Sequence, residues 1–206
     1  MTGTLNWYYK LYNTLLGGGD NDFGSSGNLF TVTMSGNTYQ ALGIGSKDGK
    51  YYIFDRTDGD LLASYSIGSA LGGVIGLPGF VYLGPNSPEV YIPSADEHKV
   101  RALNHGHQGV VEALIPSTNT VAWTFRTVGS MIGSVAVAPG VVVFGDTSGN
   151  LYAVSTAGGT ELWHTVLPYP IDGGVTIAEG YVLVGDFNGG SAPTGLGVYA
   201  YVPKGA

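Results

Sequence analysis

Two groups of residues in this chain have types and spacings that could hold a metal. Asp20 and Asp22 have the Asp-x-Asp spacing of a calcium loop, in which alternate side chains turn hard oxygen donors toward one cation. Their neighbours Gly17-Gly18-Gly19 and Gly24 point instead to a turn held by Asx hydrogen bonds, since a calcium site wants about six to eight oxygens. His105 and His107, in Asn104-His105-Gly106-His107, form an i, i+2 pair able to chelate zinc or nickel. A third ligand would have to come from Asp96, Glu97 or His98 by a fold-back of that segment; otherwise the pair reads as an exposed loop. Trp7, Trp123 and Trp163 resemble a sugar-binding stripe, but each occupies the same place in a repeat, which points to packing. The absence of Cys excludes disulfides, thiolate catalysis and Cys-ligated metals.

The elements that would position these residues repeat. Gly149 to Trp163, Gly109 to Trp123 and Gly49 to Ala63 each span 14 residues, with Ala63 in the place of a Trp. Each copy reads as a Gly turn, an apolar and aromatic strand, a polar turn and a second strand, as in Asn150-Leu151-Tyr152-Ala153-Val154, Ala157-Gly158-Gly159 and Thr160-Glu161-Leu162-Trp163. Two more apolar strands precede each Gly, such as Ser134–Ala138 and Val141–Gly145. The copies at Gly109 and Gly149 lie 40 residues apart, whereas Gly49 and Gly109 are separated by 60, which implies an insertion. Four short strands per period of about 40 residues is the signature of propeller blades. The 35 Gly, 14 Tyr and 11% charged residues suit a turn-rich all-β chain with almost no helix.

The repeat Gly-Asn-Leu-Tyr-Ala-Val followed by Gly-x-x-x-Trp resembles the tryptophan-docking repeat of pyrroloquinoline quinone (PQQ) dehydrogenases and their non-catalytic propeller relatives. The first third adds Trp7-Tyr8-Tyr9-Lys10, Asp20-Asn21-Asp22-Phe23-Gly24, and Lys47-Asp48-Gly49-Lys50-Tyr51-Tyr52-Ile53-Phe54-Asp55-Arg56. Together with Leu71-Gly72-Gly73 and Val198-Tyr199-Ala200-Tyr201-Val202, the order is similar to the C-terminal half of a quinoprotein alcohol dehydrogenase, the polyvinyl-alcohol type among them. The resemblance implies that Lys47 would lie against the quinone oxygens, where a fixed cation stabilises the reduced cofactor's charge. It also implies that the family's catalytic Asp base, calcium ligands and the Trp under the cofactor would precede Met1. Alcohol oxidation needs a base and a Lewis acid, so PQQ and calcium are expected only with a complementary N-terminal half, and no catalytic residue is assigned here. No Cys-x-x-Cys-His haem attachment is present.

Strand counting divides the chain into a closing outer strand at 4–11 and blades at 28–68, 72–128 (with an insertion near 85–108), 132–167 and 173–203, the last lacking its outer strand. That is four blades' worth of strands, either a closed four-bladed ring or half of an eight-bladed ring completed in a homodimer by exchanged terminal strands. The functional expectation is a non-catalytic binding or assembly module; the alternatives are part of a PQQ-dependent alcohol dehydrogenase and a subunit that polymerises by strand complementation. A net charge of −7 and a pI near 4.8 exclude a phosphate-binding surface, so nucleic acid is not an expected partner. No secretory signal and no apolar run long enough to span a membrane is visible, while the Ser, Thr, Asn and Tyr content leans to an extracellular or periplasmic setting.

Overall fold

A computed structural model of the chain describes residues 3–11, 22–68, 73–95, 109–187 and 196–202. Fifteen strands and no helix are found among them. The first sheet contains β1 (Asn28–Met34), β2 (Asn37–Gly45), β3 (Lys50–Asp55) and β4 (Leu61–Ser66), antiparallel in chain order. The second contains β5 (Gly79–Gly84), β6 (Ser87–Ser94), β7 (Val110–Ile115) and β8 (Thr120–Arg126), and the third β9 (Ala136–Ala138), β10 (Val141–Gly145), β11 (Asn150–Ser155) and β12 (Glu161–Val166). The fourth has three strands, β13 (Val175–Ala178), β14 (Tyr181–Gly185) and β15 (Val198–Tyr201). These four meanders are the blades of a PQQ-dehydrogenase-like propeller.

Two boundaries differ from the sequence reading. β6 lies inside the stretch 85–108 assigned to an insertion, because Asn86 takes φ 55 and lets Pro85-Asn86 close a tight hairpin between β5 and β6. The extra length of blade two therefore follows Ala95, and residues 96–108 lie outside the described ones. Residues 3–11 join no sheet among the described residues; they run across blade one, where Trp7 lies over Gly59 and Tyr9 packs against Phe54.

The blades repeat bond for bond. At the turn after each second strand a backbone N–H donates to the carbonyl of the segment entering the same blade: Lys47 to Asp22, Ala95 to Gly73, Thr147 to Ser130 and Phe187 to Pro170. The preceding residues, Ser46, Ser94, Asp146 and Asp186, are all buried polar groups. Three apolar cores lie between successive blades: Phe30, Val32, Ile53 and Ile92 between blades one and two, Tyr91, Trp123, Phe144 and Tyr152 between two and three, and Val143, Leu151, Ile171 and Val184 between three and four. Middle-blade strands such as β6 are buried on both faces, whereas β15 alternates between exposed and half-buried residues because only one of its faces meets a neighbour. Among the described residues no core joins blade four to blade one.

Candidate functional site

Two places hold the residues singled out by the sequence: the turn carrying Lys47, with the N-terminal segment beside it, and the open edge of β15. Lys47 sits in the turn between β2 and β3, where the Ser46 N–H donates to the Lys50 carbonyl and Gly49, at φ 88, closes the reversal. Its ammonium lies 3.1 Å from Asp22 Oδ1, in a partly exposed ion pair, and its stem lies against Gly24. Gly73, at φ 61, rides over its backbone; a Cβ there would stand 2.4 Å from Lys47 Cα. The equivalent positions of the other blades hold Ala95, Thr147 and Phe187, so the cation is particular to blade one.

Asp22 thus serves as the counter-ion of Lys47. Asp20, His105 and His107, and with them Asp96, Glu97 and His98, lie outside the described residues. Among the described residues no three His, Asp or Glu side chains gather as a metal site. Two tyrosine hydroxyls that donate to carboxylates are held as neutral donors. Burial, then the hydrogen bond to Asp48, pushes the Tyr52 phenol well above its ordinary value, and burial, then Asp146, does the same for Tyr152. Groups held protonated in this way are donors, not bases.

Next to Lys47, an aromatic cluster joins the N-terminal segment to blade one. Tyr9 packs against Phe54 with ring centroids 4.7 Å apart, and Phe23 lies edge-on to Tyr52 at 5.7 Å. Trp7 donates from Nε1 to the Arg56 carbonyl at 2.9 Å, and its ring fills the space over Gly59. Trp123, on β8, makes the same contacts two blades further along: Nε1 donates to the Thr156 carbonyl at 2.9 Å, and the ring lies over Gly159. Trp7 therefore occupies the position of an outer-strand residue of whatever blade precedes blade one. The third tryptophan, Trp163 on β12, meets Tyr201 edge-on at 5.1 Å and remains 39% exposed, against 9% for Trp123.

At the far end, β15 pairs with β14 on one side, and no strand pairs with its other side among the described residues. Asp186 ties it down, accepting from the Gly197 N–H at 2.7 Å and from the Tyr199 hydroxyl at 2.9 Å. Val198 is 84% exposed beside the open edge. Sequence reasoning passes over the buried carboxylates. A Gly-Asp or Gly-Ser pair ending the second strand, at Gly45-Ser46, Gly145-Asp146 and Gly185-Asp186, was the available signal.

A family profile described as the outer membrane protein assembly factor BamB matches residues 107–192. No curated protein sequence matches the chain significantly. Among solved structures, a quinohemoprotein alcohol dehydrogenase from Pseudomonas putida HK5 superposes with a TM-score of 0.58 at 16% identity, covering 80% of this chain and 34% of that one. BamB from Moraxella catarrhalis gives 0.58 at 17% identity over 89% of this chain and 50% of its own. The computationally designed Ika4 protein gives 0.58 at 14% identity over 91% and 96%. The chain thus spans about a third of the dehydrogenase and half of BamB. With four meanders bonded alike at each turn and these neighbours, the chain is by fold a β-propeller of the kind shared by PQQ alcohol dehydrogenases and BamB.

Proposed function

We propose that the chain is a non-catalytic propeller unit, a binding or assembly module that completes its sheet edge with a strand from another polypeptide. One observation carries this reading: among the described residues no strand pairs with the outer edge of β15, while residues 3–11 lie docked on blade one in the place of a preceding blade's outer strand. An open edge is an invitation to strand addition and a hazard when left bare. The residues near Lys47 do not fit quinone chemistry well. The ammonium that would face the quinone is answered by Asp22, and among the described residues no three His, Asp or Glu side chains gather there as a metal site. An assembly role also accords with the description of the matching profile, and the composition favours a setting outside the cytoplasm.

Titrating the purified chain with PQQ and calcium, while following the cofactor's absorbance and alcohol-dependent dye reduction, tests the reading. No saturable binding and no turnover are expected. Saturable binding that Lys47→Ala abolishes would replace this reading with that of a dehydrogenase component.

A further inference from the structure

The three complete sheets obey one rule along their outer ladders. Ala113 lies opposite Trp123 and Ala153 opposite Trp163, whereas Ile53 lies opposite Ala63. In each ladder the register shifts just after that pair, so the three positions are equivalent. A large ring on the outer strand goes with a methyl on its neighbour, and a branched side chain goes with the missing ring, as close packing requires. The next blade follows suit. Gly59 and Gly159 lie under Trp7 and Trp123, where a Cβ would stand 2.7 and 2.8 Å from the rings; blade two, which follows Ala63, has Asn119 at the same point of its turn.

β15 repeats β11. Leu183 pairs with Ala200 as Val143 pairs with Ala153, Gly185 with Val198 as Gly145 with Leu151, and Tyr199 donates to Asp186 as Tyr152 donates to Asp146. Ala200 therefore stands where Ala113 and Ala153 stand, exposed, with no described strand beyond it. Among the described residues Ala200 has no tryptophan opposite it, and Trp7 no alanine.

We infer that the partner of the open edge is a second copy of this chain. Resting on the assembly reading above, residues 4–11 of each copy add to β15 of the other. Carrying over the β11–β12 register sets Tyr9 opposite Val198, Tyr8 opposite Tyr199, Trp7 opposite Ala200 and Leu5 opposite Tyr201. Tyr8 then stacks on Tyr199 as His164 stacks on Tyr152, whose ring centroids are 4.8 Å apart. Trp7 stays on its own blade one, so the donated strand brings that blade's face against the partner's blade four. The pairing covers Leu5, Tyr8 and Val198, which are 74%, 76% and 84% exposed in the single chain. Self-closure would instead require a core between blades four and one, which is absent among the described residues. A reciprocal exchange about a twofold axis closes with two copies, consistent with the chain's match to half of BamB.

Sedimentation equilibrium on the wild type and four variants tests this. The wild type should have twice the 21.3 kDa chain mass. Ala200→Trp changes an exposed residue and should leave the circular dichroism intact while reducing the mass to one chain. Trp7→Ala and Ala200→Ile should each weaken the dimer at least about tenfold. The double variant, which recreates the Ile53–Ala63 pairing, should recover most of that loss. A single-chain mass for the wild type, polymers growing with concentration, or an Ala200→Trp dimer as tight as wild type would overturn the inference. A dimer that binds PQQ would remove the non-catalytic reading and leave the exchange standing; a monomer that binds none would do the reverse.

Discussion

Replacing Asp146 should destabilise blade three more than any surface change, because its fully buried carboxylate organises the turn before β11. Oδ1 accepts from the backbone N–H groups of Ser148 and Asn150 at 2.9 and 3.0 Å. Oδ2 accepts from the Gly129 N–H at 2.9 Å and the Tyr152 hydroxyl at 3.2 Å, and the Asn150 amide reaches both oxygens. Asp146→Ala leaves three backbone donors without this partner, each worth about 1–3 kcal/mol when stranded. Water entering the space recovers part of this, so the net loss should be about 3–5 kcal/mol. Asp146→Asn keeps the oxygen facing Ser148 and Asn150 but turns an NH2 toward the Gly129 N–H, for a loss of about 1.5–3 kcal/mol. Urea titrations with matched m-values measure both. A loss below about 1 kcal/mol for the Ala variant would refute the assignment of the carboxylate as the centre of this turn.

Other outcomes follow from burial. Trp123→Ala should cost about 3–5 kcal/mol by opening the core between blades two and three, whereas Trp163→Ala, on a partly exposed ring, should cost less than half as much; chemical denaturation compares them. Asp172 has a buried Oδ1 with no hydrogen-bond partner, and burial raises its pKa. A carboxyl whose folded pKa is raised favours unfolding once ionised, so Asp172→Asn should raise Tm at pH 7. The gain should vanish as pH falls below the ordinary carboxylate range near about 4, as thermal melts across pH will show.

Much of the fold is legible in the sequence because a propeller repeats its local signals. The Gly-to-Trp spacing marks the outer hairpin of each blade, and its exception at Ala63 is real in space: the residue opposite is the bulkier Ile53. What the sequence hides depends on register. The Ala113–Trp123 and Ala153–Trp163 pairs become visible only once the ladder irregularity beside them is placed, because a shift of one residue pairs the rings with other neighbours. The 60-residue spacing from Gly49 to Gly109 shows that blade two carries extra length but not where it falls, and β6, which contains Pro88 and Pro93, occupies part of the stretch 85–108. The resemblance implies a quinone contact for Lys47, whereas its pairing with Asp22 is a long-range contact that spacing does not foretell.

The most direct test of the account is an isotope-filtered NOE measurement on a mixture of labelled and unlabelled chains, observing the Ala200 methyl group. The account predicts cross-peaks from that methyl to the Trp7 indole of the other chain, accompanied by protection of the β15 amides from exchange. An Ala200 methyl with no indole contact, or with contact only to Trp7 of its own chain, would contradict it.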